Sequence, residues 1–321
     1  MGLNGGWVYR DRVGPRWAGQ TVVAYYAQRY RHSTADQWRD RAIAGQIYVD
    51  GQAAAPDQVL GCGQTLTYHR PPWHEPAVPL EFEVVYEDAD LAVVAKPSGL
   101  PVMPGGGFLD HTLLGQLQRR YPTETPIPIH RLGRGTSGLV LLARTSLARS
   151  RLTAQLRDRT MTKIYRAIAA GPTASQLRDH FTVTQPIGKI FHSTLGYVYG
   201  STDDGAFAQS DCQVLERDRD RLLLDVTILT GRPHQIRIHL AAVGIPLEGD
   251  PLYAIGGQPR SPDDPDSSVD PRMEQIIGGG GDAIARPGDC GYRLCAHTLG
   301  FDHPRTGDRL TVHRTAPFTF P

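Results

Sequence analysis

The stretch RPPWHEPAVP, Arg70 to Pro79, limits the possible folds more than any other. Proline fixes φ and has no backbone N–H, so four prolines in ten residues permit neither a helix interior nor an inner strand. The segment reads as a semi-rigid linker. It divides the chain into residues 1–70 and 81–321, with 71–80 between them, and 321 residues are enough for two cores.

The first part, about Val22 to Tyr68, reads as a small α/β module. Ser33 is placed to cap a helix running through Trp38 to Ala44, and Gly45 to close it. A strand IYV, an Asp50-Gly51 turn and a strand ending in LTYH follow. Eight arginines stand against five aspartates between Met1 and Arg70. They suit either a phosphate backbone or a solvated helix face.

In the second part, FEVVYEDADLAVVAKP gives two short strands around an acidic turn, and LVLLART gives a buried one. SLARSRLTAQLRDRT has helical spacing with Ser146 as its cap, and KIYRAIAAG and RLLLDVTIL are further strands. TGRPHQIRIHLAAVG opens on a turn and becomes a helix that Gly244 stops. Strands outnumber helices, so the expected class is α+β with a mixed, mainly antiparallel sheet, and not a doubly wound nucleotide fold. The Gly-, Pro-, Ser- and Asp-rich text from Ala254 to Cys290 cannot bury a core and reads as a mobile insertion at about 254–290.

A net charge of +1 argues against coating nucleic acid by bulk electrostatics. Lysine occurs only at 96, 163 and 189, which leaves 31 of the 34 basic residues as arginine. Coding bias explains this readily, and planar arginine also suits phosphate. Cys62, Cys212, Cys290 and Cys295 form no Cys-x-x-Cys pair and no zinc-like group, and read as reduced structural thiols. No apolar run approaches a membrane span and the start lacks a secretory layout, so a cytoplasmic protein is expected.

Two segments carry candidate chemistry. IHRLGRGTSGLVLLART, Ile129 to Thr145, is not a P-loop, because no Gly-Lys-Ser/Thr follows its glycines. It is not a dinucleotide fingerprint either, because a strand follows where a helix should. TGRPHQIRIHLAAVGIPLEGDPLY, Thr230 to Tyr253, places His234 and Arg237 on one helix face, with Gln235 and His239 as an i,i+4 pair. An anion site and a solvent-facing helix with polar caps are both open readings. Tyr165, alternating with apolar neighbours in TKIYRAIAAG, reads as core by itself.

The order KPSGLPVMPG, HRLGRGTSGLVLLA, KIYRAIAAG, TGRPHQIRIHLAAVGIPLEGDPLY, YRLCAHTLGFDHPRTG resembles the RluA-type RNA pseudouridine synthases from about Glu81 to the C-terminus. The leading module, with GQIYVDGQ and VLGCGQTLTY, is more weakly similar to S4-type RNA-binding domains. The resemblance implies a pseudouridine synthase fold after an S4-like module and the isomerisation of uridines in structured RNA, ribosomal or transfer. No cofactor, metal or membrane is implied, and a monomer is expected. Such chemistry must take the base out of its stack, break the glycosidic bond and rejoin the uracil through C5.

Residue by residue, the resemblance makes Arg131 the group that displaces the base. It makes Tyr165 the ring that packs against uracil, cast in the family as a proton acceptor, and Arg237 the partner of the catalytic aspartate. The family writes His-Arg-Leu-Asp, whereas this chain has His130-Arg131-Leu132-Gly133. A buried Arg237 without a counter-ion would cost several kcal/mol. A substitute carboxylate is therefore expected, with Asp250, Glu248 and Asp110 as candidates, unless bound phosphate or water takes its place. Gly133-Arg134-Gly135 could also bring N–H groups and a guanidinium to a phosphate. RNA contact is assigned to His130, Arg134, Thr136, Arg232, His234, Gln235 and Arg41. Two other readings stay open: a catalytically silent, synthase-like RNA-binding protein or chaperone, and, more remotely, a pocket for a nucleotide-like ligand.

Overall fold

Asp50 and Gly51 both take positive φ, 50° and 83°, which closes the first hairpin as the Asp-Gly pair requires. The computed structural model describes residues 2–192, 195–260 and 285–320. They form two units, Met1–Pro76 and Ala77–Pro321, and the boundary along the chain falls inside the proline-rich stretch.

The first unit contains strand β1 (Trp7–Arg12), helices α1 (Val22–Arg29) and α2 (Ala35–Ile43), and strands β2 (Ile47–Val49), β3 (Gln52–Ala53) and β4 (Thr65–Arg70). The sheet order is β1-β4-β2-β3. Thr34 caps α2, not Ser33. Its hydroxyl accepts from Gln37 N, and the Gln37 side chain accepts from Thr34 N, a reciprocal box that Ser33 cannot form because its third residue onward is Asp36. Tyr25, Tyr26, Trp38 and Tyr68 fill the core, and Arg41 lies over the rings of Trp38 and Tyr68.

The second unit is built on a sheet of β5 (Glu83–Glu87), β6 (Leu91–Lys96), β7 (Ile127–Pro128), β8 (Ser137–Ala143), β9 (Thr162–Ala170), β10 (His180–Val183), β13 (Ser210–Asp218), β14 (Arg221–Ile228), β17 (Leu294–Asp302) and β18 (Arg309–His313). Two hairpins stand apart from it, β11 (Ile187–His192) with β12 (Gly196–Ser201) and β15 (Tyr253–Ala254) with β16 (Gln258–Pro259). The main order is β10-β13-β14-β9-β17-β8-β6-β5. Among its described pairs only β17 with β8 is parallel, so the sheet is mixed and mainly antiparallel as expected.

The continuous apolar run of β8 is buried on both faces. Leu139 and Leu141 join one core with Ala148 and Leu152 of α4 (Ser146–Arg157). Val140 and Leu142 join the other, with Leu113 and Leu117 of α3 (Leu113–Arg120) and Ile236 and Leu240 of α5 (Gln235–Ala242). Thr145, not Ser146, caps α4, because its hydroxyl is the one that reaches Ala148 N. Gly244 ends α5 with φ 84°. Of the expected insertion, residues 261–284 lie outside the described residues.

Candidate active site

The turn after β6 sets the position of the loop before β8. Lys96, almost wholly buried, donates from Nζ to the carbonyls of Pro97 (2.9 Å), Leu100 (2.8 Å) and Arg134 (3.2 Å). Three carbonyl acceptors match the three donors of an ammonium, although burial pulls the pKa of Lys96 down to about 7. Gly99 N also donates to Arg134 O, and Ser98 Oγ to Gly135 O. The carbonyls of Arg134 and Gly135 are thus held by this turn, while Gly133 and Arg134 line a cavity of about 450 Å3.

Arg131, Tyr165 and Arg237 border this one cavity, from the loop before β8, from β9 and from α5. Tyr165 is buried in mid-strand, opposite Val226 and Ala296, and burial raises its hydroxyl to about 12, so it is a neutral phenol at pH 7. Arg131 is exposed and its side chain has no hydrogen bond or ion pair among the described residues. Arg237 is the opposite case. Its Nε and one terminal nitrogen each lie 2.7 Å from an oxygen of Asp250, and both side chains are at most 3% exposed. The third nitrogen donates to Pro287 O, and the guanidinium lies over the rings of Tyr292 (4.3 Å) and Tyr253 (5.0 Å). Burial disfavours both charges, but each partner outweighs it: Arg237 is raised and Asp250 lowered.

Asp250 therefore supplies the counter-ion that Arg237 requires, and Glu248 and Asp110 do not. Glu248 pairs with Arg221 and Arg293, and Asp110 lies beside Arg119. Asp250 has little left to offer a substrate. Its Oδ1 also accepts from the N–H groups of Leu252 and Tyr253, and it is absent from the cavity wall. Among the described residues, the wall carries no carboxylate at all.

Gly133 lies on the wall outside the left-handed backbone region, so a side chain there meets no backbone strain. A Cβ would come 3.2 Å from the Tyr292 hydroxyl and 3.5 Å from Thr136 Oγ1. Gly135 has no such freedom, since its Cβ would stand 2.9 Å from the Tyr292 ring. Tyr292, whose hydroxyl lies 3.2 Å from Thr136 Oγ1, was not anticipated from the sequence. The signal for it was the pair of glycines, which admits a bulky neighbour.

Several residues expected to contact RNA have other partners. Gln235 is buried: its Oε1 accepts from Thr230 Oγ1 and Arg232 N, and its Nε2 donates to Gln209 O and Ser210 Oγ, fastening the β14–α5 turn to β13. His130 Nε2 accepts from Leu141 N, and burial first, then Lys163, brings its pKa down to about 4. Arg134 donates to Gly288 O at 2.6 Å and lies 3.5 Å from Asp289, so its guanidinium is not free for a phosphate. His239, the i,i+4 partner of Gln235 and not one of the expected RNA contacts, is enclosed by Ser210 Oγ and Gln185 O. His234 lines the cavity, with Nδ1 2.7 Å from the Tyr253 hydroxyl. That hydroxyl donates to Tyr199 O, so the imidazole proton sits on Nδ1. Arg232 lines the cavity and donates to Phe207 O, and Arg41 belongs to the first unit, where it donates to Ser33 Oγ. No group of three or more His, Cys, Asp or Glu that could hold a metal occurs among the described residues, and no described helix is long and apolar enough to cross a membrane.

Residues 90–242 match the RNA pseudouridylate synthase family. An uncharacterised RNA pseudouridine synthase of Synechocystis is 46% identical over 92% of this chain and 93% of its own. The chain belongs to the RNA pseudouridine synthase family. RNA pseudouridine synthase 5 of Oryza sativa subsp. japonica is 40% identical, over 98% of this chain and 87% of its own, and ribosomal large subunit pseudouridine synthase D of Pseudomonas aeruginosa is 34% identical, over 94% and 90%. The solved structure of human RNA pseudouridylate synthase domain containing 1 shares the fold, with a TM-score of 0.53 and 22% identity over 77% of this chain and 88% of that one. The membership is of the RluA type, and the activity it supports is the isomerisation of uridine to pseudouridine in RNA.

Proposed function

We propose that this chain isomerises a uridine displaced from structured RNA, within the cavity between Arg131, Tyr165 and Arg237. The observation that supports this is their convergence, from three separate segments, on one cavity of about 450 Å3. Arg131, exposed and unpaired, displaces the base, and Tyr165 presents its ring to the uracil. Arg237, fixed by Asp250, presents a charge that cannot swing away. Substrate and product are isomers: the N1–C1′ bond breaks and a C5–C1′ bond forms, with the C5 proton transferred to solvent and one taken up at N1. Structured ribosomal RNA is the first substrate to examine, given the relatives named for the large ribosomal subunit. Residues 1–70 act as an S4-like RNA contact, with Arg41 as one of its cations.

A second reading, a synthase-like protein that binds RNA without changing it, is favoured by the lack of a carboxylate on the cavity wall among the described residues. Pseudouridine maps of RNA from cells with and without the gene separate the two. A site lost on deletion, restored by the wild type and not by Tyr165→Ala or Arg237→Ala, supports the enzyme. An unchanged map with RNA binding intact supports the silent binder.

A further inference from the structure

A second cavity, of about 400 Å3, shares a wall with the first: Arg131, Tyr165 and Arg232 border both. Its other side is formed by Arg157 and Arg159 from the end of α4 and the turn after it, and by Lys163 on β9. These are five cationic side chains around one space. Only Arg157 has a carboxylate partner, Asp158, among the described residues. Arg232 gives its Nε to Phe207 O, while the side chains of Arg131, Arg159 and Lys163 have no hydrogen bond or ion pair among the described residues. Like charges without counter-ions repel, and the effect is visible in the neighbours: burial and Arg159 lower the pKa of Lys163, and Lys163 in turn opposes protonation of His130.

We propose that this cavity binds the backbone phosphodiester next to the target uridine. The inference rests on the reading that the neighbouring cavity receives a uridine in RNA. Base and phosphate of one nucleotide are a ribose apart, and Arg131 and Arg232 stand on the wall between the two spaces. An anion in the second would neutralise the unpaired cations and fix how far the displaced nucleotide can swing.

The test is the salt dependence of binding, by fluorescence anisotropy, of fluorescein-labelled pentauridylate to the full chain. Arg159→Asn suits a residue at φ 59°, and Lys163→Met keeps the stem length, so neither variant disturbs the backbone. Each lost phosphate contact should lower the slope of log K against log salt by about 0.7, which is about fivefold in affinity at 0.1 M relative to 1 M salt. Arg149→Gln, on an exposed part of α4, should leave the slope unchanged. With uncharged methylphosphonate linkages, wild type and both variants should bind alike. An unchanged slope in the double variant, with an unchanged urea midpoint, overturns the proposal, as does a difference that persists with the uncharged linkages. Loss of inorganic phosphate binding with the oligonucleotide slope intact also overturns it, in favour of free phosphate. The slope does not depend on turnover: slope loss in a chain that makes no pseudouridine removes the enzyme reading alone, and an unchanged slope in an active chain removes the phosphate site alone.

Discussion

Two groups of cations border the candidate site, and the fold treats them in opposite ways. On the α5 side Arg237 is buried, paired through two nitrogens and set over two rings. On the loop side Arg131, with Arg159 and Lys163 behind it, has no carboxylate within reach among the described residues. A charge satisfied inside the protein has a fixed geometry and nothing further to gain. A charge left unsatisfied gains from the ligand that arrives. Under the proposed function, the first group is the positioning one and the second is the one that meets RNA.

The sharpest way to break the comparison is Asp250→Ala. Leaving Arg237 buried without its counter-ion should cost about 3–5 kcal/mol of stability, read as a fall in the urea midpoint. Arg131→Ala, at an exposed site, should fall within about 0.5 kcal/mol of the wild type by the same measurement. Comparable losses in both variants would end the distinction between a supported and an unsupported side.

Acid should act in two stages, first at His130 on the loop side and then at Asp250 on the α5 side. His130 has a folded pKa of about 4, below the ordinary 6.5, so its neutral form is the stabilising one. That contribution is complete above about 6.5 and is lost as the pH falls toward about 4, by at most about 3 kcal/mol. Asp250, also depressed, contributes above its ordinary value of 3.8 and loses that contribution as the pH falls below it. Urea midpoints from pH 7 to pH 3 should decline in that order. In His130→Gln the first stage should shrink.

A comparably small effect on stability is expected of Gly133→Asp. The backbone at 133 accepts a side chain, and the Tyr292 hydroxyl needs to yield by only a few tenths of an ångström, so stability should change by under about 1 kcal/mol. The variant places a carboxylate on the cavity wall. A rise in pseudouridine formation over the wild type would show that the missing group limits the reaction.

The legible parts of the sequence were those decided by local chemistry. Asp50-Gly51 forms its turn and Gly244 its stop, and the apolar runs of β6 and β8 are central strands. A linker reading of residues 71–80 was equally available from sequence, because proline leaves few alternatives. What depends on distant partners was not. β1 begins among glycines and exists because Trp7 to Arg12 pair with Arg70 to Thr65. Hydroxyls adjacent in sequence, such as Ser33 and Thr34, are separated only by the reach of Gln37. In the candidate site, Arg131, Tyr165 and Arg237, which the resemblance points to, border one cavity. The requirement for a counter-ion to Arg237 followed from burial, but sequence could not rank Asp250 over Glu248, two residues away and facing Arg221 and Arg293 instead. Lys96 and Lys163 were overlooked although lysine is rare here, and that rarity was itself a signal: Lys96 fills an ammonium site with three carbonyls that a planar guanidinium fits poorly.

The most direct measurement is mass-spectrometric quantification of pseudouridine in RNA from cells lacking the gene, after incubation with purified protein. The account predicts new pseudouridine with the wild type and a loss of about a hundredfold or more with Arg131→Ala, whose RNA binding stays within a few-fold of normal. No pseudouridine from the wild type, with RNA bound equally by both proteins, would contradict it.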